Sequence, residues 1–209
     1  MKSWFAIVNT SMFLSLICAV PGYGQTVLMS NLGEPNIGSY NFGAVNWAAV
    51  PFQTGSSPIT VSSIDLLMLQ YQPVADQPFV QIYTDAGSQP GTLVPGAQFT
   101  PQSPLTSGSS LHVVTFDNST PVTLAPNTDY DVVVSAHTLD GYWAWGLQQG
   151  TGVAGPGGQI LPGTVDLREQ GWVSVSGSFG FDLQGSVVPE PSTFMLIGLG
   201  GVALLRKRA

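Results

Sequence analysis

Between residues 25 and 187 the acid–base side chains are two histidines, His112 and His137, eleven aspartates and glutamates, and a lone arginine, Arg168. A Ser-His-Asp triad needs its members to meet only in space, so either histidine is a formal candidate. Yet this stretch contains no Gly-x-Ser-x-Gly elbow and no lysine to act as a base. Paired carboxylates can drive glycoside hydrolysis, but eleven acids in one domain create close pairs by chance. Histidines within strand-like runs are ordinarily satisfied by hydrogen bonds, so no catalytic residue and no enzymatic activity are expected, with a secreted hydrolase as the remote alternative. Asp129 and Asp131 stand two residues apart on one side of a strand. With Asp85 or Asp140 on a nearby loop they would offer oxygen ligands to Ca²⁺. The spacing of a calcium loop is missing, however, and a solvated strand face with an Asx turn at Asp85 explains the same residues. No metal or other cofactor is expected.

The richest aromatic cluster is Asp140-Gly141-Tyr142-Trp143-Ala144-Trp145-Gly146. Strand periodicity puts Trp143 and Trp145 on one face and Tyr142 on the other. One face would then be free to stack on sugar rings while the other packs inward, with Asp140 or His137 supplying hydrogen bonds. Large aromatics usually end up mostly buried, which favours a core role for the tryptophans. A carbohydrate-binding module using Tyr142, Trp143 and Trp145 is the alternative.

The elements that must position these residues read as strands. The stretch is rich in Gly, Pro, Ser, Thr, Val and Gln, with almost no Lys, Glu or Arg to build exposed helix faces. Strand candidates are Thr60 to Gln70, Phe79 to Thr84, Leu111 to Asp117, Val122 to Leu124, Tyr130 to Ala136, Tyr142 to Leu147, Trp172 to Ser176 and Phe179 to Gln184. Turn-forming runs separate them, notably Asp85 to Gly91 and Ala125-Pro126-Asn127-Thr128. Short strands at such spacing predict an all-β passenger, a β-sandwich or jelly roll. Ile64, Leu66 and Met68 face one way and Asp65, Leu67 and Leu69 the other, so that strand is expected to be central. The run Val132-Val133-Val134 predicts a strand buried on both faces. Phe42 and Trp47 are expected core contributors in a segment, Tyr40 to Val50, with no clear assignment.

Charge narrows the partners. The whole chain carries a net charge of −7. Four of its five basic residues, Lys2, Arg206, Lys207 and Arg208, lie at the ends, which leaves the middle with eleven acids against Arg168, a net charge near −10. Nucleic-acid affinity rests on Lys and Arg neutralising phosphates, so nucleic acid is excluded as a partner.

The C-terminus has its own grammar. Val188-Pro189-Glu190-Pro191-Ser192-Thr193 precedes an apolar run, Phe194 to Leu205, and then the basic residues Arg206, Lys207 and Arg208. Pro189 and Pro191 fix φ and hold the motif extended, as a processing enzyme would read it. As a helix, Ser192 to Leu205 would be only about 21 Å long, against roughly 30 Å of bilayer hydrocarbon, so it makes a marginal span. This order resembles the PEP-CTERM sorting signal of Gram-negative bacteria, a Val-Pro-Glu-Pro-Ser-Thr motif followed by a Gly-rich apolar helix and a few Arg or Lys. The resemblance implies recognition by exosortase, a membrane-embedded cysteine transpeptidase. Exosortase would cut at or near the motif and release or re-attach the protein outside the cell.

At the other end, Lys2, the apolar run Trp4 to Val20 and the small residues Gly22 and Gly24 form an export leader, with signal peptidase expected to cut after Gly24. Ile17 stands where a lipobox before Cys18 would need a small residue. Cys18 is the chain's one cysteine, so the mature protein would have no disulfide and no thiol chemistry. The expected organisation is a signal peptide (1–24), a single β-sandwich passenger (25–187) and a sorting tail (188–209), with a helix in each end segment. A second likeness concerns the passenger. Val80 to Gly91 and Leu124 to Val134 resemble choice-of-anchor R bacterial surface domains, which carry an Asp-x-Gly-x-Pro-Gly turn and a later Leu-x-Pro-Gly-Thr-x-Tyr strand. Here Asn127 replaces the usual Gly, a position that needs left-handed backbone, which Asn tolerates. The two resemblances imply a protein held briefly in the inner membrane and then placed at the cell surface or in the exopolysaccharide matrix, with a structural or adhesive role.

Overall fold

The computed structural model describes residues 25–189, apart from Ser88, Thr138, Leu139, Glu169, Gln170 and Ser176. The expected leader helix and tail helix lie outside the described residues. Every regular element described is a strand, as the composition predicts. The chain opens with β1 (Thr26–Ser30), β2 (Asn36–Gly43), β3 (Trp47–Thr54) and β4 (Ile59–Gln70). It continues with β5 (Phe79–Asp85), β6 (Pro90–Pro101), β7 (His112–Leu124), β8 (Asp129–Ser135) and β9 (Asp140–Gln148). The last five are β10 (Gly158–Ile160), β11 (Thr164–Arg168), β12 (Gly171–Val175), β13 (Ser178–Phe179) and β14 (Phe181–Val187).

These strands form two antiparallel layers joined along one side. In the first layer β4 is central: β7 lies on one edge, and on the other β14 pairs with it from Ile59 to Leu66 and β9 with its last three residues. β1 extends this layer beyond β14, and β2 beyond β9. In the second layer the order runs β12-β11-β3-β8-β5-β6. The long strand β6 belongs to both, pairing with β5 along most of its length and with β7 through Thr100 and Pro101. The result is a sandwich closed along that side into a nearly barrel-like sheet.

The core fills the space between the layers. From the first come Ile59, Val61, Ile64, Leu66 and Met68 of β4, Phe116 of β7, Phe181 and Leu183 of β14, and Trp143 and Trp145 of β9. From the second come Val50 and Phe52, Val80 and Ile82, Phe99, Val132 and Val134. The alternation of Ile64, Leu66 and Met68 thus does what its period demands, and β4 is central as expected. Val133 is buried too, on the outer side of β8, where Ala49, Trp47, Tyr83 and Trp172 form a small second cluster. That covering makes Val132-Val133-Val134 a strand buried on both faces. Trp47, expected as a core contributor, is partly buried and packs on this outer cluster, while Phe42 enters the main core, because Trp47 stands one residue out of phase with Ala48 and Val50.

Some strands join or divide differently from the reading of the sequence. The expected strands Leu111 to Asp117 and Val122 to Leu124 merge, from His112 onward, into one continuous strand, β7, whose pairing with β4 is interrupted by a bulge between Val61 and Ser63. Phe179 to Gln184 splits at Gly180 into β13 and β14, and the two pair with different neighbours. β6 went unread because Pro90, Pro95 and Pro101 look like breakers, although prolines are tolerated at strand ends and on an edge. The turn at Asn127 keeps its expected conformation, with φ of 48°. Asp85 does brace its turn, but its Oδ1 accepts a hydrogen bond from the Gln89 amide at 3.2 Å, four residues on and not the two of the expected Asx turn.

Candidate functional site

Pro189 has no amide hydrogen, so the sheet must end before it. β14 pairs with β4 as far as Val187 opposite Ile59, and the Val188 amide makes a last bond to the Pro58 carbonyl at 2.8 Å. The sorting motif therefore begins where a strand of the first layer, flanked by β1 and β4, leaves the fold. Of the motif, Val188 and Pro189 are described. Glu190, Pro191, Ser192, Thr193 and the basic residues Arg206, Lys207 and Arg208 lie outside the described residues.

Residues 187–209 match a family model described as the PEP-CTERM protein-sorting motif. The tail is a PEP-CTERM sorting motif. It marks the chain as an exported protein handled by exosortase at the membrane. No curated protein matches the chain. The match covers the PEP-CTERM tail and does not extend to the passenger, whose likeness to choice-of-anchor R domains gains nothing from it. Among the described residues, no helix is long and apolar enough to cross a membrane.

The aromatic cluster of β9 is distributed otherwise than a sugar platform requires. Trp143 and Trp145 are fully buried. Trp145 stacks on Phe179 with ring centroids 4.5 Å apart and 11° between planes, and its Nε1 donates to the Gly180 carbonyl at 2.8 Å. Trp143 stacks on Phe42 at 6.2 Å. Neither ring is open to a ligand, since both face the second layer and fill the core. Tyr142 is partly buried against that core and tilted on Trp143. The tryptophans act as the foundation of the ribbon formed by β2, β9 and the end of β4.

That ribbon carries a cleft on its other side. Ser39, Tyr40, Asn41, Asn46 and Tyr71 line an open depression of about 550 Å³. Tyr71 follows directly on β4, is 43% exposed, and is held by a bond from its amide to the Tyr142 carbonyl at 2.9 Å. Tyr40, opposite Trp145 in the pairing of β2 with β9, turns its ring inward and meets Phe179 edge-on at 6.1 Å. Asn46 sits in the tight turn between β2 and β3, where the Gly43 amide donates to the Asn46 carbonyl at 2.8 Å and Trp47 Nε1 to the Ala44 carbonyl at 3.0 Å. The sequence reading missed this cleft because its residues come from three separate segments and form no motif. The exposed Tyr71 just past an apolar strand was the one available signal.

The acids divide by environment. On the outer side of the first layer, Asp65 lies opposite Asp182 across β4 and β14, and its Oδ2 accepts a hydrogen bond from Gln184 Nε2. Burial raises the Asp182 carboxyl above the usual range, a hydrogen bond from Ser30 lowers it, and Asp65 raises it again. Asp65, Asp117 and Gln184 also line a broad polar cleft of about 720 Å³ with Ser62, Ser63 and Thr115. On the outer side of the second layer, Asp129 Oδ1 accepts from Gln53 Nε2 at 2.8 Å. Asp131, two residues on, is 1% exposed and neither of its oxygens has a hydrogen-bond partner. Burial first, then the charges of Asp85 and Asp129, push its carboxyl up to about 7. Asp85, Asp129 and Asp131 are thus neighbours, as the calcium alternative required. Even so, no group of three or more His, Cys, Asp or Glu among the described residues is arranged to hold a metal.

The histidines belong to different parts of the fold. His112 opens β7, exposed, with Nδ1 3.5 Å from the Ser110 carbonyl. His137 follows β8 and lies against the Phe79 ring, centroids 4.5 Å apart.

Proposed function

We propose that this chain is a structural or adhesive protein of the cell surface or the exopolysaccharide matrix of a Gram-negative bacterium, and that its role is non-catalytic. The observation that carries this reading is the PEP-CTERM tail leaving a strand of an all-β passenger. In such a protein the tail is an address and the passenger is what is delivered. Signal peptidase removes the leader after Gly24. The apolar run Phe194 to Leu205 then holds the chain in the inner membrane, with Arg206, Lys207 and Arg208 on the cytoplasmic side, until exosortase acts near Pro189-Glu190-Pro191. A passenger with a net charge near −10 remains soluble and self-repelling after release. The packing of His137 on Phe79 and the placement of His112 on the opposite layer favour a non-catalytic role over the hydrolase alternative.

Fractionation of the producing cells tests this reading. The protein should be recovered with the outer surface or the polysaccharide matrix, and its gene deletion should weaken cell–cell cohesion or matrix retention. Protein confined to the cytoplasm or inner membrane, or a deletion strain with unaltered surface and matrix, would contradict it.

A further inference from the structure

We propose that the cleft lined by Ser39, Tyr40, Asn41, Asn46 and Tyr71 binds a neutral glycan. The proposal rests on the surface or matrix role above and gives it a ligand class. The first argument is chemical. Two carboxamides and a hydroxyl each donate and accept hydrogen bonds, which suits the paired donor and acceptor character of sugar hydroxyls. The Tyr71 ring adds a flat apolar face to cover the C–H side of a pyranose, and a phenol group at the rim.

The second argument is electrostatic. None of the five lining residues is charged, although the passenger carries eleven acids. An anionic ligand would find no cation there and would approach a negatively charged domain, while a cation would find no carboxylate. A neutral, hydroxyl-rich chain suffers neither penalty. The third argument is size and rigidity. About 550 Å³ lies within the range of small-ligand clefts and accommodates a short run of sugar units. Its walls are set in advance. Asn46 stands in a turn closed by the Gly43-to-Asn46 hydrogen bond, Tyr40 is braced on Phe179, and β2 lies over the stacked Phe42 and Trp143. Groups fixed before binding lose less freedom when they bind. The alternative read from the sequence put the aromatic sugar contact on Tyr142, Trp143 and Trp145. The geometry moves it to Tyr71, on the side of the same ribbon that water reaches.

The test is calorimetric titration of the full-length chain, held in a detergent without a sugar headgroup, with neutral hexasaccharides of the gluco-, manno- and galacto- series and with hexagalacturonate as the acidic comparison. At least one neutral hexasaccharide should bind saturably and hexagalacturonate should not. Tyr71→Ala and Asn46→Ala should each weaken binding by about tenfold or more. Tyr71→Phe, which keeps the ring, should stay within about threefold, as should Val113→Ser at an exposed position of β7 that does not line the cleft. Tyr71 is exposed, so unaltered near-ultraviolet circular dichroism should accompany its loss of binding. Absence of binding to every neutral hexasaccharide, binding undiminished in Tyr71→Ala, or preference for hexagalacturonate would overturn the site. Protein that fails to bind yet is recovered at the cell surface overturns the glycan site alone, whereas protein missing from the surface overturns the reading beneath it.

Discussion

The two sides of the β2–β9–β4 ribbon carry the same kind of residue with opposite consequences. On the inner side, Trp143, Trp145, Phe42 and Phe179 stack in pairs and are fully buried. On the other, Tyr71 is 43% exposed and borders a neutral cleft with Asn41 and Asn46. An aromatic on a strand is therefore not a ligand platform by type alone, since the pleat and the opposing layer decide which ring meets water. Carboxylates on β8 repeat the contrast. Asp129 and Asp131 share a face two residues apart, yet Asp129 is bonded to Gln53 while Asp131 is buried without a partner.

The largest expected effect comes from the inner side. Trp145→Ala removes a stacked ring and the donor to the Gly180 carbonyl, and should lower unfolding stability by about 3–5 kcal/mol in chemical denaturation. A loss of sugar binding in this variant without a loss of stability would reverse the roles of the two sides.

Asp131 comes next. Its carboxyl sits at about 7 in the fold against about 4 in the unfolded chain, so the folded form binds the proton more tightly. The stability associated with this group is then fully present below about pH 4 and is lost as pH rises through about 7. Asp131→Asn should gain on the order of 2 kcal/mol at pH 8, roughly a 5 °C rise in Tm, and nothing at pH 4. Equal Tm changes at both pH values would show that the side chain is not held without a partner.

The smallest effect belongs to the outer side. Tyr71→Ala should change stability by no more than about 1 kcal/mol, well short of Trp145→Ala, because the residue is 43% exposed and stands outside the core. A loss of several kcal/mol would place Tyr71 with the tryptophans and remove the distinction between the two sides.

Much of this was legible in sequence, for identifiable reasons. The period-2 pattern of β4 fixed its faces, the valine run of β8 announced burial on both sides, and Asn127 and Asp85 marked their turns. The PEP-CTERM tail was legible because it is a contiguous motif. The cleft was not, because its five residues lie on β2, the following turn and the end of β4, which only the pairing of β2 and β4 with β9 brings together. β2 itself was hidden by its polar, glycine-containing sequence, and β6 by its prolines. The burial of Asp131 depends on neighbouring strands β3 and β5, to which Pro51 and Tyr83 belong, and no local pattern encodes it.

Terminal mapping by mass spectrometry, on protein recovered outside the producing cells, tests export and sorting most directly. The expected species begins at Gln25 and ends within the Val188 to Thr193 motif, with Phe194 to Ala209 gone. Recovery of chains that extend to Ala209 would contradict sorting through the tail.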